Sequence, residues 1–170
     1  YTLQGWEGVL TGDVPRGSGL SSSAALEMAT ARAFHEVSNF PWNPAKMALL
    51  GQKTENQWVG ANTGIMDQMI SASGQQGYAL LIDCRSLDTQ AVPLPKGTVA
   101  VIMDTMTRHS HTESGYNERR AECEEAAQYF GVKALRDVTL EEFNAKANKL
   151  SEGLGDTVRR RAKHVITEND

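Results

Sequence analysis

Apolar residues change their spacing several times along the chain, and each change marks an expected element. Large and polar residues alternate loosely over residues 6–11, the period of a strand, before Gly12-Asp13-Val14-Pro15 forces a turn. From residue 23 to about 37 the spacing becomes helical, with Leu26, Ala29, Ala33 and Phe34 on one face and no Gly or Pro within the run. Asn43-Pro44 is an N-cap with proline at the first helical position, which opens a second helix reaching Trp58 before Gly60. Gly60-Ala61-Asn62-Thr63-Gly64 is turn chemistry. A helix over residues 65–73 follows and places Asp67 in its first turn. Three strands are expected at 78–83, 90–94 and 98–104, the first two forming an antiparallel hairpin. A polar loop with Arg108, His109 and His111 then leads to a helix over 114–130 that Gly131 stops. Thr139-Leu140-Glu141-Glu142 is a capping box opening another helix, and a last helix covers 157–169. Strands gathered between helices, without strict alternation, make the fold class α+β.

Composition leaves this picture standing and removes several functions. In 170 residues, 40% hydrophobic and 22% charged, there is material for a core and no disordered or fibrous bias. The net charge of −4 gives no footprint for nucleic acid, and no apolar run is long enough to cross a membrane. Two isolated cysteines, Cys84 and Cys123, fit a reduced cytoplasmic protein and are read as small buried hydrophobes. The opening Tyr1-Thr2-Leu3-Gln4, with neither initiator methionine nor leader, leads us to expect a piece of a longer chain.

The segment Pro15-Arg16-Gly17-Ser18-Gly19-Leu20-Ser21-Ser22-Ser23-Ala24-Ala25 carries the most chemistry, because it lies between the expected strand and the first helix. Gly17 and Gly19 permit a tight turn and close approach of backbone to a ligand, and the helix start offers unpaired amides at the positive end of its dipole. No Lys follows the glycines, so this is not a Walker A loop, and Ser22 stands where a dinucleotide fingerprint has its third glycine. Read as residues alone, the serines serve equally as helix caps behind a flexible turn. Asp67, between apolar neighbours, is by itself either a first-turn acid or a base able to orient a hydroxyl for phosphoryl transfer. Glu55 alone is an exposed helix residue, Tyr116 an amphipathic anchor, and Gly64 a turn glycine. His109 and His111 lack partners at metal-ligand spacing, and Arg119 and Arg120 read as surface ion pairs.

The glycine and serine run resembles the phosphate loop of the GHMP small-molecule kinases. The stretches Glu55-Asn56-Gln57-x-Val59-Gly60-x-x-x-Gly64-Ile65-Met66-Asp67-Gln68 and Ala79-Leu80-Leu81-Ile82-Asp83-Cys84-Arg85-Ser86-Leu87 are similar to galactokinases in particular. So are Tyr116-Asn117-x-Arg119-Arg120, Leu135-Arg136-Asp137-Val138 and Arg161-Ala162-Lys163-His164-Val165. The resemblance implies a GHMP-kinase type fold, incomplete here. Residues 1–104 would be the latter part of a ribosomal protein S5 domain 2-like, ATP-binding N-terminal domain, and residues 105–170 the mainly helical start of the C-terminal domain. It implies phosphorylation of galactose by ATP, with Pro15, Gly17, Ser18, Gly19, Leu20, Ser21, Ser22, Ser23 and Ala24 around the nucleotide. Mg²⁺ would be held by Ser23, with Ser22 as second choice, and by Glu55. Asp67 would be the catalytic acid, and Gly64 and Tyr116 would contact galactose with it. The intact enzyme is expected to be a cytoplasmic monomer.

Thr63 departs from the cysteine found at that place in many galactokinases. The same resemblance leaves room for a kinase acting on N-acetylgalactosamine, arabinose or galacturonate, and for a non-catalytic galactose and ATP sensor. The chain has neither the family's N-terminal motif, with its Arg and His, nor its C-terminal glycine loop. An arginine finger is worth about 10³ to 10⁵ in rate. The 170 residues alone are therefore expected to show no measurable turnover with MgATP and galactose in a coupled assay, and a rate near that of an intact galactokinase would refute this.

Overall fold

The structure, a computed structural model, describes residues 1–103 and 115–169. It divides into two compact units, residues 1–112 and 113–170, each with its own core.

The first unit is built on three helices. Helix α1 spans Ser22–Ser38 and ends at Asn39, whose left-handed backbone (φ 51°) turns its amide back to the His35 carbonyl. Helix α2, Pro44–Thr54, starts as its sequence dictates, the Asn43 side chain accepting from the Lys46 amide at 2.9 Å with Pro44 at the first position. It runs into a π-helical turn, Glu55–Val59, closed by Gly60 at φ 80°. Helix α3, Met66–Ser73, packs on both α1 and α2. Ala48, Ile65 and Met69 are buried together, with Ala45, Ala72, Ile82 and Leu87 against them. Strands β1, Tyr78–Ile82, and β2, Thr89–Pro93, pair antiparallel with Leu80 opposite Ala91 and Ile82 opposite Thr89. Their connection is held by Asp83, whose carboxylate accepts from the Arg85 and Ser86 amides at 2.8 and 3.2 Å.

The second unit is helical. Helix α4, Gly115–Phe130, ends at Gly131 (φ 72°), and a short 3₁₀ turn, Leu135–Asp137, precedes helix α5, Leu140–Leu154. The capping box is complete: the Thr139 hydroxyl accepts from the Glu142 amide, and the Glu142 carboxylate accepts from the Thr139 amide. Those bonds hold the Glu142 carboxyl below its ordinary value. Helix α6, Asp156–Glu168, buries Val158, Ala162 and Ile166 at four-residue spacing. They join Phe143, Leu150, Leu135, Val138, Ala126 and Ala127 in one core. An ion pair between Arg161 and Glu122 ties α6 to α4.

Three expectations are corrected. Residues 6–11 form no strand: the whole of residues 1–11 is exposed, and the segment lies along α1 through Trp6 on Phe34 and the Gln4 amide on Ser38 Oγ. Residues 98–103 form none either, and the remainder of that expected strand lies outside the described residues, as does the loop of Arg108, His109 and His111. In both cases the alternating pattern is present, but a strand needs a neighbouring edge to pair its amides and carbonyls, and no described segment lies alongside. Cys84 is exposed in the β1–β2 connection rather than buried; Cys123 is half-buried, and burial raises its thiol pKa, with Glu124 adding to the rise.

Phe143 is 1% exposed at the centre of the second unit's core. Phe143→Ala is expected to cost about 3–5 kcal/mol in urea unfolding followed by circular dichroism, and a loss below about 1 kcal/mol would contradict that core.

Candidate functional site

The glycine turn and the start of α1 form the first part of the site. Gly17 (φ 69°), Gly19 (φ 77°) and Ser21 (φ 55°) all take the left-handed region, costless for glycine and unusual for serine. The turn is held from within, Ser18 Oγ donating to the Pro15 carbonyl at 2.8 Å. Ser21 occupies the N-cap position of α1, yet its side chain makes no capping bond. The first intrahelical bond runs from the Ala25 amide to the Ser21 carbonyl at 3.1 Å. The amides of Ser22, Ser23 and Ala24 therefore precede the helical ladder at the positive end of the dipole. The capping bond expected of the serines is thus not made by Ser21. Ser22 and Ser23 line an open cleft of about 970 Å³ with Asp13, Val14, Pro15 and Arg16. Leu20, like the serines, is half-buried, whereas Ala24 is completely buried beneath the turn.

Glu55 begins the π-helical turn and is 2% exposed, contrary to the exposed helix position expected from its residue type alone. Among the described residues its Oε2 has no hydrogen-bond partner. Widening of a helix to π geometry commonly accompanies a functional residue, and a buried carboxylate oxygen without donors is costly unless a cation sits against it. The neighbouring loop is pinned from the same turn. Asn56 Oδ1 accepts from the Thr63 amide and hydroxyl at 3.0 and 3.2 Å, and the Thr63 carbonyl accepts from Gln52 Nε2 at 3.2 Å. Thr63 thus braces the loop that delivers Gly64, which is exposed. Asp67 stands in the first turn of α3, half-buried, as its spacing predicts.

Two side chains that the motif reading passed over link these parts. Gln68, next to Asp67, is 2% exposed and donates from Nε2 to Glu27 Oε2 on α1 at 3.1 Å. Glu27 lies four residues beyond Ser23, about 6 Å along the same helix face. The second turn of α1 and the first turn of α3 are thereby joined within the first unit. Glu27's spacing from Ser23 and the polar Gln68 within an apolar run were the legible signals. Tyr116 belongs to the second unit, half-exposed in the first turn of α4, where it lines a groove of about 700 Å³ with Arg119, Arg120, Cys123, Arg161 and His164. Arg120 pairs with Glu124 at 2.9 Å, in line with the surface reading.

Residues 2–75 match the GHMP kinases N terminal domain family. That match covers 2–75 of the 170 residues, the stretch that holds the glycine turn, Glu55 and Asp67. Similarity extends further: the chain is 48% identical over 166 residues to a galactokinase of Mannheimia succiniciproducens, an alignment covering 98% of this chain and 43% of that one. The crystal structure of Lactococcus lactis galactokinase complexed with galactose superimposes with a TM-score of 0.80 at 33% identity, covering 93% of this chain and 41% of the other. The chain thus spans about two fifths of the length of these relatives.

A GHMP kinase uses ATP, and the family resemblance implies Mg²⁺. The residues present fit such an ion: a buried, donorless carboxylate oxygen on Glu55 and an uncapped helix start bearing the Ser22 and Ser23 hydroxyls. Among the described residues no group of three or more His, Cys, Asp or Glu side chains gathers to hold a metal. One or two carboxylates are what Mg²⁺ needs when phosphate oxygens and water complete its octahedron.

Burial pushes the Glu27 carboxyl above its ordinary value; the Gln68 hydrogen bond pulls it down by less, and the charge of Glu55 adds to the rise. The folded chain therefore holds this proton more tightly than the unfolded chain. Glu27's contribution to stability is complete below the unfolded-state pKa and is lost as pH climbs through the raised folded-state value. Glu27→Gln, neutral at every pH, is expected to flatten this part of the urea midpoint plotted against pH, and an unchanged slope across the carboxylate range would count against it.

Proposed function

We propose that the complete protein transfers the γ-phosphoryl group of MgATP to the anomeric hydroxyl of galactose, forming galactose 1-phosphate and ADP, and that this chain supplies its phosphate loop and its acceptor-orienting acid. The observation that carries the reading is the uncapped start of α1 behind Gly17 and Gly19, joined one helical turn later to the helix of Asp67. Backbone amides after the glycines suit the phosphate oxygens of ATP, and Ser22 and Ser23 add hydroxyl donors. Ser23 and Glu55 would hold Mg²⁺, which when bound neutralises charge on the nucleotide phosphates.

Asp67 accepts a hydrogen bond from the attacking sugar hydroxyl and takes its proton as the new O–P bond forms and the bond to ADP breaks. Because the phosphoryl group in flight is loose and metaphosphate-like, alignment of the hydroxyl matters more than early deprotonation. Gly64, three residues before Asp67, carries no side chain, and Tyr116 of the second unit is assigned to the sugar by the family resemblance alone. In domain terms, residues 1–104 would be the latter part of the ATP-binding domain and residues 105–170 the beginning of the C-terminal one. Likeness to two galactokinases supports galactose as the acceptor. A net charge of −4, and no helix among the described residues long and apolar enough to cross a membrane, accord with small soluble substrates. The reading includes a cytoplasmic, monomeric enzyme.

In the complete protein, Asp67→Asn is expected to lower kcat by about 10² to 10⁴ while leaving KM for MgATP nearly unchanged. A coupled ADP-release assay with galactose, N-acetylgalactosamine, arabinose and galacturonate measures both turnover and acceptor choice. Near-normal turnover by Asp67→Asn would remove the catalytic assignment, and preference for another sugar would replace the substrate.

A further inference from the structure

Gln68 is a long amide with 2% exposure in a helix interface that otherwise buries Met28, Met47, Ala48 and Met69. One end of its amide is used, Nε2 donating to Glu27 Oε2 at 3.1 Å, and the other, Oε1, has no partner among the described residues. Glu27 itself is held above its ordinary pKa by burial. For stability alone this is a poor arrangement, since an apolar pair of similar volume would avoid the desolvation of both groups. A polar pair with one buried and one half-buried partner does something an apolar pair cannot: its bond has a direction, so it selects one rotation and one register between two helices.

The surroundings are shaped to that bond. A Cβ placed on Gly51 of α2 would come within 2.9 Å of Glu27 Oε2, 3.0 Å of Gln68 Cγ and 2.8 Å of Met28 Cε. Three helices therefore close on the pair, and a side chain at Gly51 would have to displace the ends of Met28 and Glu27. Helix α3 also needs such a constraint. It has eight residues, its N-cap is Ile65, and no side chain caps its start. Asp67 immediately precedes Gln68, so any rotation of α3 that breaks the bond swings Asp67 with it.

We infer that Glu27 and Gln68 are positioning residues for phosphoryl transfer: their hydrogen bond locks the rotation of α3 on α1 and so aims Asp67 toward the glycine turn at the head of α1. This rests on the reading of Asp67 as the acceptor-orienting acid. Misplacing a reacting group by about 1 Å costs on the order of 100-fold in rate.

The test is a double-mutant cycle in the complete protein. Gln68→Met keeps the side-chain length and removes the amide, Glu27→Met removes the acceptor, and Glu27→Gln keeps an acceptor oxygen without the charge. Gln68→Met and Glu27→Met are each expected to lower kcat about 10- to 100-fold with KM for MgATP within about two-fold. Glu27→Gln should restore most of that loss. In an Asp67→Asn background, Gln68→Met should cost no more than about two-fold, because the residue through which it acts is already disabled. Equal losses in the two backgrounds, or a lowered unfolding midpoint with kcat unchanged, would overturn the inference. Should Gln68→Met not fold, the comparison of Glu27→Gln with Glu27→Met in both backgrounds decides in the same way. Asp67→Asn measured alone separates the two readings: if it turns over normally the assigned function of Asp67 fails, whereas if it is inactive and the cycle is additive only the positioning role fails.

Discussion

The first unit is organised around one hydrogen bond between two helices distant in sequence, from Gln68 on α3 to Glu27 on α1. Most of the energy that brings these helices together is apolar burial by Met28, Met47, Ala48, Ile65 and Met69, which is strong and without direction. Apolar contact tolerates a slide or a twist; a buried amide on a carboxylate does not. The bond therefore contributes less to whether the helices pack than to how they pack. Its placement matters because Ser23 stands one turn before Glu27 and Asp67 one residue before Gln68. The helix that begins with the serines and the helix that carries Asp67 thus meet at the same contact.

The loop itself shows how a helix start can be kept available. Most α-helices satisfy their first amides with a side chain at the N-cap, as Asn43 does for α2 and Thr139 does for α5. Ser21 is a residue suited to that role, but its left-handed backbone directs the chain so that no such bond forms. The amides of Ser22 and Ser23 and their two hydroxyls are left beside the open cleft, whereas the Ala24 amide is buried. Glu55 supplies the complementary feature, a buried carboxylate oxygen with no donor beside a helix distorted to π geometry. One group lacks acceptors and the other lacks donors, and on the proposed reading a nucleotide phosphate with its divalent cation would satisfy both.

The two units differ in how far local pattern accounts for them. In the second, Thr139 with Glu142, Gly131 as a helix stop, and Val158, Ala162 and Ile166 at four-residue spacing all mean in the structure what they mean in the sequence, because capping and helical periodicity act within a few residues. In the first, the β1–β2 hairpin is legible, its partners being close in the chain, but residues 6–11 and 98–103 are not strands despite a suitable pattern. A strand's backbone groups are satisfied by a neighbour, and alternation says nothing about whether one is present.

Sequence by itself determined the helices, the hairpin, the glycine turn with its serines, the first-turn position of Asp67, and the likeness to galactokinases. It could not determine that Ser21 would decline to cap, that Glu55 would be buried without a partner, that Cys84 would be exposed, or that Gln68 would reach Glu27 across forty-one positions. Those outcomes turn on burial and on pairing between distant segments. Helix signals are written in neighbouring residues, whereas the environment of a carboxylate or an amide is made by whatever the rest of the chain folds against it.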